Sequence, residues 1–95
     1  MPAPAFIYTR HARENLTDRR IARELVEGTV LAPEAIEPDP RYPERMRAYR
    51  AWPEHGGRVL RVVYVEEHAL TYRVITLFLD RNWRRRRESP IRSGG

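Results

Sequence analysis

The chain has no cysteine, no lysine and no glutamine among its 95 residues. Without cysteine there is neither a disulfide framework nor a thiolate nucleophile, and a cytoplasmic setting is the simplest expectation. Aromatic residues make up 9%, too few for a stacking platform that holds single-stranded nucleic acid. No apolar run is long enough to cross a membrane. Met1-Pro2-Ala3-Pro4-Ala5 lacks the charged and apolar regions of a secretion signal. His11, His55 and His68 lack any ligand-like spacing, and there is no zinc-finger pattern, glycine-rich phosphate loop or internal repeat. A bound metal, a cofactor and a membrane are therefore not expected.

What remains is one small domain with a modest core. The hydrophobic content of 41% is enough to fold 95 residues, and 33% are charged. All 18 basic residues are arginine, against 13 acids, for a net charge of +5. Through Asp80 twelve arginines balance twelve acids, so the whole excess lies in Arg81, Arg84, Arg85, Arg86, Arg87 and Arg92 against Glu88 alone. Such a cluster attracts nucleic acid phosphates, an acidic surface or an acidic partner protein, or it serves only as a solvated end. The chain divides into a domain over 1–83, with Trp83 anchoring its end, and a basic, flexible tail over 84–95.

The hydrophobic pattern predicts a short strand, two helices and then a sheet. A strand over Phe6 to Tyr8 leads to a helix from Arg10 to Leu16, with Thr9 as its N-cap and Ala12 and Leu16 as its buried stripe. A second helix carries Ile21, Leu25 and Gly28 on one face, beside Ala22, Val26 and Thr29. Either Asp18 or Ala22 caps it, and Pro33 ends it. Glu34 to Glu37 reads as a brief strand. Arg45 to Trp52 alternates as a half-exposed strand, and Pro53 to Gly57 is a turn. Arg58 to Val65 and Tyr72 to Leu79 are rich in β-branched residues, with Glu66 to Leu70 as their hairpin loop. Both are apolar on both faces and belong in the centre of a sheet that helices cover on one side. Arg61 interrupts the first of them. It either reaches an open sheet face or pairs with an acid such as Glu14 or Glu24, because an unpaired buried charge is costly.

The chemistry concentrates at Tyr8-Thr9-Arg10-His11-Ala12-Arg13-Glu14-Asn15-Leu16 and Arg19-Arg20. His11 stands in the first helical turn, one turn from Asn15, with arginines on either side. Imidazole beside guanidinium suits phosphodiester chemistry, since one moves a proton while the other holds negative charge. A histidine at a helix start equally serves as a surface or capping residue.

His11-Ala12, Glu14, Leu16, Arg19 and Ile21, with Glu24 and Val26, resemble the opening of a bacterial family of domains of unknown function, number 4258 in its series. Leu60-Arg61-Val62-Val63-Tyr64 and Val74-Ile75-Thr76 resemble that family's later strands, so the resemblance covers roughly residues 6 to 83. Asn15 stands where the family usually has arginine, and Arg20 where it usually has glycine. The family is similar to the RelE and BrnT toxins of type II toxin–antitoxin pairs, small ribonucleases that stop translation. That similarity implies an α+β fold, with a short strand and two N-terminal helices packed on a three- or four-stranded antiparallel sheet. It implies RNA as substrate, ribosome-bound in some relatives, and a cognate antitoxin with an acidic segment. It further implies that Arg61 and Arg81 bind and cleave RNA with help from Arg45 and Arg47, Arg50 being an alternative to Arg47. The residue chemistry beside it adds His11 to Arg61 and Arg81 as the catalytic set, and Arg19, Arg47, Arg73 and Tyr64 or Tyr49 as substrate contacts.

Metal-free RNA cleavage needs a base for the 2′-hydroxyl, positive charge for the pentavalent phosphate and a proton for the leaving oxygen. Arg61 and Arg81 would hold the charge and His11 would move the proton, although some toxins of this kind work with arginine and lysine alone. The rival reading is a binding module in which Arg61 and Arg73 pair with acids, His11 caps or packs, and the tail makes the contacts.

Overall fold

In the computed structural model, residues 3–81 are described, and the expectations for Trp83 and the 84–95 tail lie outside them. The order is β1 (Ala5–Tyr8), α1 (Arg10–Arg19), α2 (Arg23–Leu31), β2 (Ala35–Pro38), β3 (Met46–Trp52), a single 3-10 turn (Pro53–His55), β4 (Arg58–His68) and β5 (Thr71–Asp80). The five strands form one sheet in the order β1-β5-β4-β3-β2. The α+β class is as expected, with a larger sheet. β1 joins its edge in parallel with β5, because the two helices carry the chain back over the sheet before the antiparallel strands begin.

Thr9 caps α1 as the sequence implies, its hydroxyl accepting from the Ala12 amide at 3.1 Å. The same hydroxyl donates to the Ile75 carbonyl at 2.9 Å. Ile75 is the extra residue of a β-bulge, since Val63 pairs with Thr76 while Tyr64 pairs with Val74. The start of α1 is thereby fixed to the edge of β5.

α1 runs one turn further than the sequence suggests and ends in a Schellman arrangement. The Arg20 amide bonds to Thr17 and the Ile21 amide to Leu16. Arg20 itself adopts the left-handed conformation, with φ 54°, in the place where glycine would stand without steric cost. Asp18 therefore lies inside α1, and Ala22 precedes α2 without a side-chain cap.

Both helices cover one face of the sheet. Ala12, Ile21, Leu25, Val26 and Val30 pack on Ala48 of β3, Leu60, Val62 and Tyr64 of β4, and Val74 and Leu77 of β5. α2 sits close on β3 because Gly28 leaves room for Trp52; a Cβ there would stand 2.9 Å from the indole. The Trp52 Nε1–H donates to the Thr29 hydroxyl at 2.9 Å. The β4–β5 hairpin is tighter than expected, with Ala69 and Leu70 alone between the strands and Leu70 at φ 62°. No helix among the described residues is long and apolar enough to cross a membrane.

Candidate functional site

Strand alternation puts the even-numbered residues of β3 and β4 under the helices and the odd-numbered ones on the opposite face. The pairing registers lay out that second face as rows across the sheet. One row reads Glu37–Arg47–Val63–Thr76, the next Ala35–Tyr49–Arg61–Phe78, and the third Ala51–Val59–Asp80. α1 reaches this face at Thr76, through Asn15, and none of these side chains belongs to the core under the helices.

Arg61 occupies the middle of this face. Its Nη1 lies 3.6 Å from the Asp80 carboxylate, and the two side chains are 19% and 6% exposed. Its guanidinium lies against two rings, 4.8 Å from the centre of Phe78 and 6.0 Å from that of Tyr49. Its Nε is buried without a hydrogen-bond partner. The expected pairing with Glu14 or Glu24 does not occur. Both acids stand on the helices, whereas Arg61 points to the other side of the sheet.

Next to it, Arg47 reaches Asp39 at 3.3 Å and Glu37 at 3.6 Å. Burial works against its charge, but hydrogen bonds to Tyr49 and Asp39 outweigh burial and push its pKa up. Tyr49 is fully buried, and its hydroxyl donates to Glu37 Oε2 at 2.7 Å. Burial and that bond raise its pKa against the opposing field of Arg61, so it stays a neutral donor. Asp39 anchors the preceding turn by accepting the Arg41 and Tyr42 amides at 2.8 and 3.0 Å. Those two bonds lead in holding its carboxyl below the usual range, with Arg47 adding to them.

His11 is exposed on α1. Asn15 bridges it to the sheet, with its Nδ2 2.9 Å from Thr76 Oγ1 and 3.5 Å from His11 Nε2. Arg19 is exposed, one turn beyond Asn15 on α1. Arg81 is exposed just after β5 and, with Arg58, Gly56, Gly57, Val59 and Asp80, lines an open recess of about 220 Å³. Arg73 faces the same way at the far end of the face. It is held bidentately by Glu67, with its Nη2 3.2 Å from Oε1. The rows thus bring together Arg47, Arg61 and the His11–Asn15–Thr76 bridge, with Arg81 at one end and Arg73 at the other.

Two candidates fall elsewhere. Tyr64 is buried under the helices, edge-on to Tyr72 at 5.7 Å, so Tyr49 is the tyrosine beside Arg61. Arg50 is on the helix side, stacked on Trp52 at 4.2 Å and donating to the Ala32 carbonyl at 3.3 Å. Of the two arginines, Arg47 shares the face with Arg61. Asp80, Glu37 and Phe78 were not singled out from the sequence. The signal for Asp80 is its offset from Phe78 by two in a strand antiparallel to the one bearing Arg61.

A family model described as a domain of unknown function (DUF4258) matches residues 8–78. No curated protein and no solved structure matches the chain.

Proposed function

The chain belongs to the DUF4258 family, and from that premise we propose that it is a toxin-like ribonuclease of a type II toxin–antitoxin pair, cleaving RNA without a metal on the uncovered sheet face. One observation carries this reading. A nearly buried arginine stands mid-strand between two rings on the face opposite the helix-packed core, with an unbonded Nε.

The chemistry follows from the rows. An RNA phosphate over Arg61 meets a guanidinium tethered to Asp80 at 3.6 Å, longer than the roughly 2.8 Å of a charge-assisted hydrogen bond. The guanidinium N–H groups other than the buried Nε–H are then available to the phosphate as charge develops. Arg47 and Arg81 hold neighbouring phosphates, and Arg19 on α1 and Arg73 on β5 extend the cationic path. His11, fixed through Asn15 and Thr76, moves the proton. The cognate antitoxin neutralises the enzyme by presenting an acidic segment to the Arg61 and Arg81 region.

Induction of the chain in a bacterial host, beside Arg61→Ala, tests the assignment. Growth arrest with mRNA fragmentation, lost in a variant that still melts cooperatively, supports it. Normal growth and intact mRNA with the folded wild-type chain count against it.

A specific observation favours a second reading, a non-catalytic nucleic-acid or protein binding module. Arg61, Arg47 and Arg73 are each already matched by carboxylates, which lowers the attraction of the face for phosphate. On that reading RNA affinity falls steeply with salt and is indifferent to Arg61→Ala.

A further inference from the structure

We propose that the cleft between α1 and α2 docks an acidic segment of a partner protein that carries an aliphatic side chain. The cleft has a volume of about 400 Å³, opens to solvent, and is lined by Arg13, Leu16, Thr17, Ile21 and Arg23. Arg13, Leu16 and Thr17 follow one another at i, i+3 and i+4, so they form one stripe of α1, and Arg20 caps the same helix next to Ile21. Its floor is aliphatic and its borders are cationic.

These cations lack internal partners. Among the described residues neither Arg13 nor Arg20 has an acid within ion-pair distance. Glu14 is taken by Arg10, and with Asp18 it lies on another side of α1. On α2, Arg23 stacks over the Tyr8 ring at 4.9 Å, and Glu27 accepts the Tyr8 hydroxyl at 2.8 Å; Glu24 is exposed. Arg20 adds an independent sign. It keeps a left-handed backbone that glycine would adopt freely, and it precedes Ile21 of the cleft floor in the chain.

The occupant follows from complementarity. The chain's own remaining segment carries Arg84, Arg85, Arg86, Arg87 and Arg92 against Glu88, so it is repelled, as is a second copy with a net charge of +5. RNA fits poorly, because the floor is Leu16 and Ile21 and the neighbouring Tyr8 ring is covered by Arg23. A leucine or isoleucine flanked by carboxylates satisfies both the floor and the borders. The cleft belongs to the helix layer, so a segment seated there leaves the Arg61 face uncovered, and the inference stands whether or not that face cleaves RNA.

The test is to pan a random peptide library displayed on phage against the full chain, with depletion on an Arg13→Glu/Arg20→Glu variant. The expected consensus carries acids around an aliphatic residue. The synthetic consensus peptide should bind the wild type in fluorescence anisotropy and the double variant about tenfold more weakly. Arg20→Gly should weaken binding while raising the melting temperature, a combination that a purely structural Arg20 would not produce. The proposal is overturned if no consensus emerges, if the consensus lacks acids, if Arg20→Gly binds as the wild type does, or if a short single-stranded RNA displaces the peptide.

Discussion

The two faces of the sheet are built by different physics. The helix-covered face is held by Ala48, Leu60, Val62, Val74 and Leu77 packed on Ala12, Leu25 and Val26; its stabilisation is non-directional and grows with the area removed from water. The uncovered face has a small apolar cluster of Tyr49 and Val59, with Ala35 and Ala51 against it. Charged side chains and Phe78 close over that cluster. Tyr49 is as buried as any residue under the helices, yet the groups around it are Arg61, Arg47 and Glu37. One face is therefore specified by shape, whereas the other is specified by matched charges that a polyanion can compete for.

The sharpest break is expected on the helix side. Leu77→Ala should cost about 3 kcal/mol, because the cavity cannot refill between α1 and β4; urea denaturation reads it directly. On the uncovered side, Asp80→Asn should cost about 2 kcal/mol by leaving Arg61 short of its carboxylate, less than a fully buried pair would because Arg61 keeps some solvent contact. Added salt should narrow the Asp80→Asn gap and leave the Leu77→Ala gap nearly unchanged. A loss for Leu77→Ala no larger than for an exposed alanine substitution would overturn the distinction.

Smaller effects sharpen it further. Arg20→Gly should stabilise the chain by about 0.5 kcal/mol, the relieved left-handed strain slightly exceeding the added freedom of the unfolded glycine. Differential scanning calorimetry should show a small upward shift, and a downward one would contradict the backbone account. The pH dependence is the most local. The folded Asp39 carboxyl titrates below its ordinary 3.8. Its contribution is therefore complete above that value and is lost as pH falls through the folded pKa. The Arg41 and Tyr42 amide resonances should titrate together with a midpoint below 3.8, and a midpoint at or above 3.8 would mean that the turn does not hold the carboxylate.

Periodicity carried most of the fold. Ala12 and Leu16 on α1, and the alternation through Arg45 to Trp52, identify their elements because burial imposes its period on the sequence. The parallel docking of β1 on β5 was not legible, since four residues, Ala5–Tyr8, carry no sign of which edge they join. Arg20 hid the left-handed turn by standing where glycine would have announced it. Arg61 was legible as an anomaly in a central strand, but its partner was not. Asp80 is nineteen residues away and comes alongside only through the hairpin register, which the bulge at Ile75 shifts. Arg47 and Arg50 were separable once alternation assigned them to opposite faces. Tyr64 looked like a site residue because its strand motif also bears Arg61, although three positions of spacing put the two on opposite sides of a strand.

The central claim is that the uncovered face meets RNA, and amide NMR titration of the full chain with a short single-stranded RNA tests it most directly. The account predicts saturable shifts at Arg47, Tyr49, Arg61, Thr76 and Phe78, with Asn15 following at the rim and Leu25, Val26 and Val30 silent. Shifts confined to α1 and α2, or to residues after Arg81, would contradict it.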